Sequence, residues 1–105
     1  MSVRIELSED KLIAYLEGEL DHHAAAPIRQ KIDEAILEHK PKKLIIDFEA
    51  LSFMDSSGIG LVMGRYRLAA SKGKKLRVDN LSERDYKIMK MSGIEKLAEI
   101  NKTVG

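Results

Sequence analysis

The chain opens with two short segments whose hydrophobic and polar positions follow the spacing of β-strands. Residues 3–7 alternate between apolar and polar side chains, as a half-buried strand does. A polar turn covers residues 8–10, and residues 12–16 then resume the strand pattern. Two strands separated by so few residues predict an antiparallel hairpin.

A helical pattern follows, and then an apolar run. The apolar stripe of the first predicted helix consists of Ile28, Ile32, Ala35 and Ile36. We expect its regular part to begin near Ala24 or Ala25, because Pro27 is tolerated only in a first helical turn. Residues 44–48 are almost all apolar, which is typical of a central strand covered on both faces.

The second half of the chain continues the alternation of helix and strand. A second helix is predicted over about residues 57–72, and its core-facing side chains are expected to be Ile59, Val62, Tyr66, Ala69 and Ala70. Residues 76–79 form a short strand pattern. Ser82 is expected to cap a third helix that ends at Gly93, and residues 97–100 predict an edge strand or a short helix.

This order of elements predicts an α/β fold with a mixed sheet of four to five strands and helices packed against it. Right-handed crossovers would bring residues 18–21 and 54–58 to the same edge of that sheet. Functional sites of open α/β sheets usually form beyond the carboxyl ends of the strands. The functional site is therefore expected at this edge.

Composition bounds the class of protein. One hundred and five residues, 44% apolar and 33% charged, predict one globular domain spanning residues 1–105. The absence of cysteine excludes disulfides and cysteine-based zinc sites, and it is compatible with the cytoplasm. No leader or membrane-length apolar run is visible. A net charge of +1 gives no general attraction to nucleic acid or acidic lipid, and the basic clusters at residues 40–43 and 72–77 predict solvated turns.

The most informative segment lies between the third strand pattern and the second helix pattern. Asp55, Ser56 and Ser57 stand there, followed by Gly58 and Gly60, which would allow a tight turn. One serine could simply cap the helix, with Asp55 capping or orienting the loop. Alternatively, a serine at a helix N-terminus is well placed to carry a phosphate, because unpaired amides and the helix dipole stabilise that charge.

Three other chemistries are weighed for this edge and disfavoured. His22 or His23 could serve as the base for a nucleophilic serine, but the Gly-x-Ser-x-Gly elbow is missing. Asp21, His22 and His23 resemble a metal cluster, yet adjacent helical residues point about 100° apart and no third ligand is placed. The glycines at 58 and 60 lack the lysine and spacing of a nucleotide phosphate loop. No metal or cofactor is therefore predicted.

Two alternatives stay open for the surface around the loop. Asp21 is expected either to cap the first helix or to contact a partner together with His22 and His23. Leu61 and Leu68 are expected roughly opposite the core stripe of the second helix. Either a neighbouring helix covers them, or they form, with Met54 at the loop, an apolar stripe that a partner protein buries.

Several segments together closely resemble the STAS-domain anti-sigma factor antagonists, and the similarity covers nearly the whole chain. The segments are residues 18–23, 51–60, 64–66 and 91–93. Residues 18–23 are specifically similar to the sporulation branch, whose members act on the anti-sigma factor of sigma F. The resemblance implies a STAS-like fold.

The same resemblance implies a switch without catalytic activity. Such proteins bind an anti-sigma factor that is itself a serine kinase, which releases the sigma factor so that transcription starts. The kinase inactivates the antagonist by phosphorylating the first serine after the aspartate, here Ser56, and a metal-dependent serine phosphatase reverses this. The expected contact residues are Asp21, His22, His23, Met54, Asp55, Ser57, Gly58 and Ile59.

The resemblance leaves some questions open. Members of the family typically continue into a fourth helix after the last strand, and residues 94–102 are expected to supply at most a shortened substitute. The free protein is expected to be monomeric, because no dimer signal is visible. A STAS scaffold in a stress-signalling assembly and a module that senses a small ligand or nucleotide remain alternative functions.

Overall fold

The structure is a computed structural model that describes residues 1–104, and it consists of a five-stranded sheet and three α-helices. A 3₁₀ turn at Ile94–Lys96 precedes the last strand. The elements are β1 (Ser2–Ser8), β2 (Lys11–Leu20), α1 (His22–His39), β3 (Lys43–Met54), α2 (Ser57–Ser71), β4 (Lys75–Leu81), α3 (Glu83–Met91) and β5 (Glu99–Lys102).

The strands lie in the sheet in the order in which they occur in the chain. β1 pairs antiparallel with β2, and all the other neighbours are parallel. The predicted hairpin and the predicted mixed sheet are therefore confirmed. Because each right-handed crossover adds the next strand on the same side, α1, α2 and α3 cover one face of the sheet.

The hydrophobic core lies between this face and the three helices. Strand residues that pair in register, such as Leu12 with Leu44 and Leu44 with Leu76, belong to one buried cluster with the helix residues Ile32 and Val62. The prediction of a central strand covered on both faces is confirmed, because residues 44–48 are all buried, although helices cover only one of the two faces. Ile45, on the other face, lies outside that cluster and is nevertheless only 3% exposed.

Polar and charged side chains cover that second face. Asp47 is 8% exposed, and its Oδ2 accepts a hydrogen bond of 2.7 Å from the side-chain amide of Asn80. The guanidinium of Arg77, opposite Ile45 in the register, pairs with Asp79 at 2.9 Å. The Asp47–Asn80 bond across β3 and β4 and the Arg77–Asp79 pair within β4 cover this face and shield Ile45 without a helix above it.

Two strands extend further than their sequence patterns indicate. β2 continues to Leu20 and β3 to Met54, beyond the predicted ends at residues 16 and 48. Their pairing contains register shifts between Tyr15 and Glu17 and between Gly18 and Glu19, and Gly18 has a positive φ of 100°. These irregularities break the alternation that a strand normally shows, so the segment has the sequence pattern of a loop.

The first helix begins earlier than predicted, at His22. Asp21 caps it, because Oδ1 accepts a hydrogen bond of 2.8 Å from the amide of Ala24. Pro27 consequently lies in the second turn instead of the first. Its missing donor leaves only the carbonyl of His23 without its helical partner, at an exposed residue of the helix start. The capping role predicted as one alternative for Asp21 is confirmed.

The second helix is buried on two sides. Gly58, Leu61, Val62, Arg65 and Ala69 are its buried residues, because α2 packs against both the sheet and α1. Leu61 is 3% exposed, and Leu68 is half-buried against the core. The prediction that these leucines form an apolar stripe for a partner is therefore wrong. The alternative prediction, that the fold itself covers Leu61, is correct.

A buried ion pair fixes α1 against α2. The side chain of Arg65 is 6% exposed, and its Nε lies 2.6 Å from Oδ1 of Asp33. Burial lowers the pKa of Arg65, and the Asp33 carboxylate opposes that effect. Removing either partner would leave an uncompensated charge in a desolvated place. The pair therefore holds together the two helices whose first residues lie at the candidate site.

The last part of the chain follows the edge-strand alternative predicted for residues 97–100 and supplies no α-helical substitute within residues 94–102. Residues 94–102 form the 3₁₀ turn and the edge strand β5. The third helix has its predicted cap, since Oγ of Ser82 accepts the amide of Asp85 at 3.1 Å. None of the helices described in residues 1–104 combines the length and the apolar character that crossing a bilayer would require.

Met54 and Gly58 meet underneath the loop that joins β3 to α2. Met54 is 0% exposed, so the prediction that its side chain contacts a partner is wrong. A Cβ placed on Gly58 would lie 2.3 Å from Sδ and 2.4 Å from Cγ of Met54. Gly58 is buried as well, so it serves as the contact that lets α2 rest on Met54 and not as a partner-binding residue. Its φ is not positive, so the turn that ends with the bond from its amide to the carbonyl of Asp55 does not need the conformational freedom of glycine.

We predict that Gly58→Ala destabilises the protein by about 1–3 kcal/mol, because the added methyl overpacks the buried Met54 side chain. Gly60→Ala is the matched control in the same helix. Nothing lies within 4 Å of a Cβ at Gly60, so alanine there is expected to stabilise by roughly 0.5–1 kcal/mol. Urea unfolding of both variants measures the difference, and equal stabilities would contradict the contact with Met54.

Candidate functional site

The carboxyl ends of β2 and β3 place the candidate residues side by side. Leu20 pairs with Met54 in the register, and the amide of Asp55 donates a hydrogen bond of 3.2 Å to the carbonyl of Leu20. The first residues of α1 and α2 follow directly from these two strand ends. The predicted proximity of the two segments is therefore confirmed.

Asp55 holds the start of α2. Its Oδ1 accepts hydrogen bonds from both the amide of Ser57, at 2.8 Å, and the hydroxyl of Ser57. The bond from the Ser57 hydroxyl, followed by that from the Ser57 amide, lowers the pKa of Asp55, and His22 contributes weakly in the same direction. The carboxylate is thus held in its ionised form. The capping role offered for Asp55 is confirmed.

Ser56 occupies the N-cap position but does not cap the helix. Its backbone is helical, with φ −62° and ψ −16°, and its side chain makes no cap hydrogen bond. The residue is exposed, and its hydroxyl has no hydrogen-bond partner within residues 1–104. The prediction that a serine side chain caps this helix is therefore wrong, because Asp55 satisfies the first free amide instead.

His22 and His23 are both exposed at the start of α1. Their ring centroids lie 5.9 Å apart, with the rings inclined at 66°. In the part of the chain that the structure describes, no three His, Cys, Asp or Glu side chains are grouped so that they could hold a metal ion. Neither imidazole forms a hydrogen bond with the hydroxyl of Ser56 or Ser57 among these residues, so the geometry contains no activated serine.

Two residues beside the loop, Phe53 and Arg84, are not among the site residues predicted from the sequence. Phe53 is 45% exposed, which is unusual for a large aromatic side chain. Nη1 of Arg84, in the first turn of α3, donates a hydrogen bond of 3.2 Å to the carbonyl of Met54, and its Cζ lies 6.0 Å from the Phe53 ring centroid. Arg84 could not be found by spacing, because only the sheet order brings α3 to this edge. Its one sequence signal is a cation at a helix start, where the dipole disfavours it.

Two clefts flank the loop that carries Ser56. The first, of about 330 Å³, lies between β3 and α3 and is lined by Leu51, Ser52, Phe53, Ser82, Arg84 and Asp85. The second, of about 370 Å³, lies between the starts of α1 and α2 and is lined by His22, Ala25, Ala26, Arg29, Ser57, Gly60 and Leu61. Phe53 lines the first cleft and Ser57 the second, so the exposed Ser56 lies in the chain between residues of two grooves that a partner protein could enter.

We predict that Ser57→Ala raises the pKa of Asp55, because the variant removes the hydroxyl bond that lowers it most. The pKa of Asp55 in the folded state lies below its value in the unfolded chain, so the hydrogen-bonded carboxylate stabilises the fold near neutral pH. This stabilisation is lost as the pH falls through the folded-state pKa, and the variant should lose less stability over that range. Carboxyl-carbon NMR titration measures the shift. Ser56→Ala is the control and should leave the pKa of Asp55 unchanged.

Comparison with known proteins places this geometry in a family. The STAS domain family model matches residues 2–105. The anti-sigma F factor antagonist of Paenibacillus polymyxa is 36% identical over 102 residues, which are 95% of this chain and 87% of the relative. The solved structure of the anti-sigma factor antagonist SpoIIAA in its unphosphorylated form has a TM-score of 0.81 at 37% identity, covering 94% of this chain and 87% of that one.

The structure of the Bacillus cell fate determinant SpoIIAA in its phosphorylated form has a TM-score of 0.75 at 37% identity, covering 94% of this chain and 90% of that chain. These likenesses agree with the five-stranded mixed sheet and three helices seen here. The family match covers nearly the whole chain, and the chain therefore belongs to the STAS-domain family.

Proposed function

We propose that this chain is an anti-sigma factor antagonist that binds an anti-sigma factor serine kinase and loses that binding when Ser56 is phosphorylated. The relative from Paenibacillus polymyxa, named an anti-sigma F factor antagonist, supports the proposal. So does SpoIIAA, whose structure is known in an unphosphorylated and a phosphorylated form. In this proposal the binding event frees the sigma factor.

The exposed, unbonded hydroxyl of Ser56 is the observation that carries the proposal. The amide and hydroxyl of Ser57 donate hydrogen bonds to Asp55, and these bonds cap the start of α2. Modification of Ser56 therefore breaks no capping bond. A kinase can therefore reach Oγ without unfolding α2. The phosphate can then be accepted where it forms, because the dipole of α2 favours negative charge there and the first turn of the helix adds no acidic residue beyond the neighbouring Asp55.

Phosphorylation would act on the contact surface by its charge. A phosphoserine carries about −1.5 to −2 charges at neutral pH, and burying that charge against a partner costs much more than burying a hydroxyl. The proposed contact residues that remain accessible around Ser56 are Asp21, His22, His23, Phe53, Asp55, Ser57 and Ile59. Met54 and Gly58 act from beneath, by fixing the position of α2.

The rest of the proposed cycle follows from this switch. The partner kinase transfers the γ-phosphoryl group of ATP to Oγ of Ser56, with ADP as the leaving group and the hydroxyl proton released. A metal-dependent serine phosphatase hydrolyses the phosphoester and restores the binding form. The chain itself acts by binding and not by catalysis, as a monomer when free. The cycle belongs to the cytoplasm, where ATP and the sigma factor are.

We predict that Ser56→Ala abolishes phosphorylation by the cognate kinase while the variant still binds it, because the side chain has no structural bond to lose. Ser57→Ala is the matched control one residue away and should still be phosphorylated, though from a less firmly capped helix. Incubation with kinase and ATP, followed by mass spectrometry, identifies the modified residue. Phosphate on Ser57, or phosphorylation that persists in Ser56→Ala, would contradict the assignment.

We predict that Phe53→Ala lowers the affinity for the kinase by about tenfold, since exposed aromatic side chains beside a binding surface often carry binding energy. The fold should tolerate the change, because the ring is 45% exposed. Leu97→Ala is the control, as its side chain is 47% exposed and lies on the segment between α3 and β5. Titration calorimetry compares the variants, and equal affinities for all three proteins would remove Phe53 from the interface.

The alternative functions make different predictions in the same experiments. A scaffold in a stress-signalling assembly would keep the phosphoserine but select a different kinase in pull-downs against candidate anti-sigma factors. A small-ligand or nucleotide sensor would bind ATP or GTP by itself in titration calorimetry. The free hydroxyl of Ser56 favours a phosphorylated switch over ligand sensing.

A further inference from the structure

We propose that Arg84 is an intramolecular receptor for the phosphate group on Ser56, so that the modified chain pairs its own phosphoserine with a guanidinium from α3. The inference rests on the proposed phosphorylation of Ser56 and adds the residue that recognises the charge. Its ligand is a phosphomonoester dianion, for which arginine is the best-suited side chain because its planar donors match two phosphate oxygens.

Arg84 is anchored within reach of the loop. Its Nη1 bonds to the carbonyl of Met54, two residues before Ser56, at 3.2 Å. Consecutive Cα atoms are about 3.8 Å apart, so Cα of Ser56 lies within about 8 Å of Cα of Met54. The long side chains of an arginine and a phosphoserine bridge such a separation. Because the Arg84 side chain is 61% exposed, it can turn toward the phosphate without disturbing the core.

The guanidinium of Arg84 has further N–H donors that can bind a phosphate. Its hydrogen bonds within residues 1–104 go to the carbonyl of Met54 and to Oδ1 of Asp85, at 3.2 and 3.1 Å, and both come from Nη1. The N–H groups of Nη2 and Nε are left for a phosphate. Asp85 is a weak competitor, because a single carboxylate in the first turn of α3 carries less charge than a phosphoserine.

Arg84 lies on the α3 side of the loop, whereas a second permanent cation, Arg29, lines the cleft on the α1 side. Asp55 is negative and is engaged with Ser57, so it repels a phosphate and cannot neutralise it. His22 lies on the opposite side of the loop, next to Asp55. Arg84 is therefore the permanent cation on the α3 side of the switch, and pairing it with phosphate also withdraws it from a partner.

The test is a ³¹P NMR titration of the full chain carrying phosphoserine at position 56, introduced during translation so that no kinase is needed. The second pKa of a phosphoserine is about 6, and pairing with Arg84 should hold it lower. We expect Arg84→Ala to raise it by about 0.5 unit, because an adjacent cation favours the dianion but is screened at the surface. Arg84→Lys should restore part of the shift.

Arg67→Ala is the matched control. Arg67 is exposed on the same helix that begins at Ser57, about 15 Å further along it, and its removal should leave the phosphate titration unchanged. Identical titrations for the unsubstituted chain and Arg84→Ala would overturn the inference, and so would equal shifts in Arg84→Ala and Arg67→Ala. The outcome is independent of whether a kinase modifies Ser56, which separates it from the proposed function.

Discussion

The switch surface depends on one constraint, namely that the carboxylate of Asp55 completes the start of α2 through Ser57 and leaves Ser56 free. Two hydrogen bonds to Oδ1 satisfy the helix start, and they also keep Asp55 ionised. The hydroxyl oxygen of a serine at an N-cap position ordinarily accepts a hydrogen bond from a backbone amide in the first turn of the helix. Because Asp55 has taken that task, the hydroxyl of Ser56 has no structural role and is available for chemistry at the surface.

The layers beneath the loop hold this arrangement in place. Met54 fills the space under α2, Gly58 lets the helix approach it closely, and the pair of Arg65 with Asp33 locks α2 to α1. The site therefore rests on a rigid platform and does not need to move when its charge changes. Such a design converts a modification of one atom into a change of surface chemistry with little rearrangement of the backbone.

Much of this could be predicted from the sequence, since the order of strands and helices and the right-handed crossovers place Asp21 and Ser56 at one edge. The ends of β2 and β3 could not, because the bulges near Gly18 hide the strand pattern. The burial of Met54 was missed, and that of Leu61 stayed one of two alternatives, because α2 is covered by both the sheet and α1, a fact of packing that helical spacing does not contain. Arg84 could not be assigned to the site from the sequence, because only the order of strands in the sheet brings α3 to this edge. The sequence also does not show that Asp55, and not a serine, caps α2, because this depends on the helical backbone of Ser56.

The central claim is that charge added at Ser56 alone ends binding to the anti-sigma factor kinase. The most direct measurement is the dissociation constant of one protein preparation for that kinase before and after stoichiometric phosphorylation, with backbone amide spectra recorded on both forms. The account predicts a loss of affinity of at least about tenfold, with spectral changes confined to the starts of the helices around Ser56. Equal affinities, or spectral changes throughout the sheet, would contradict it.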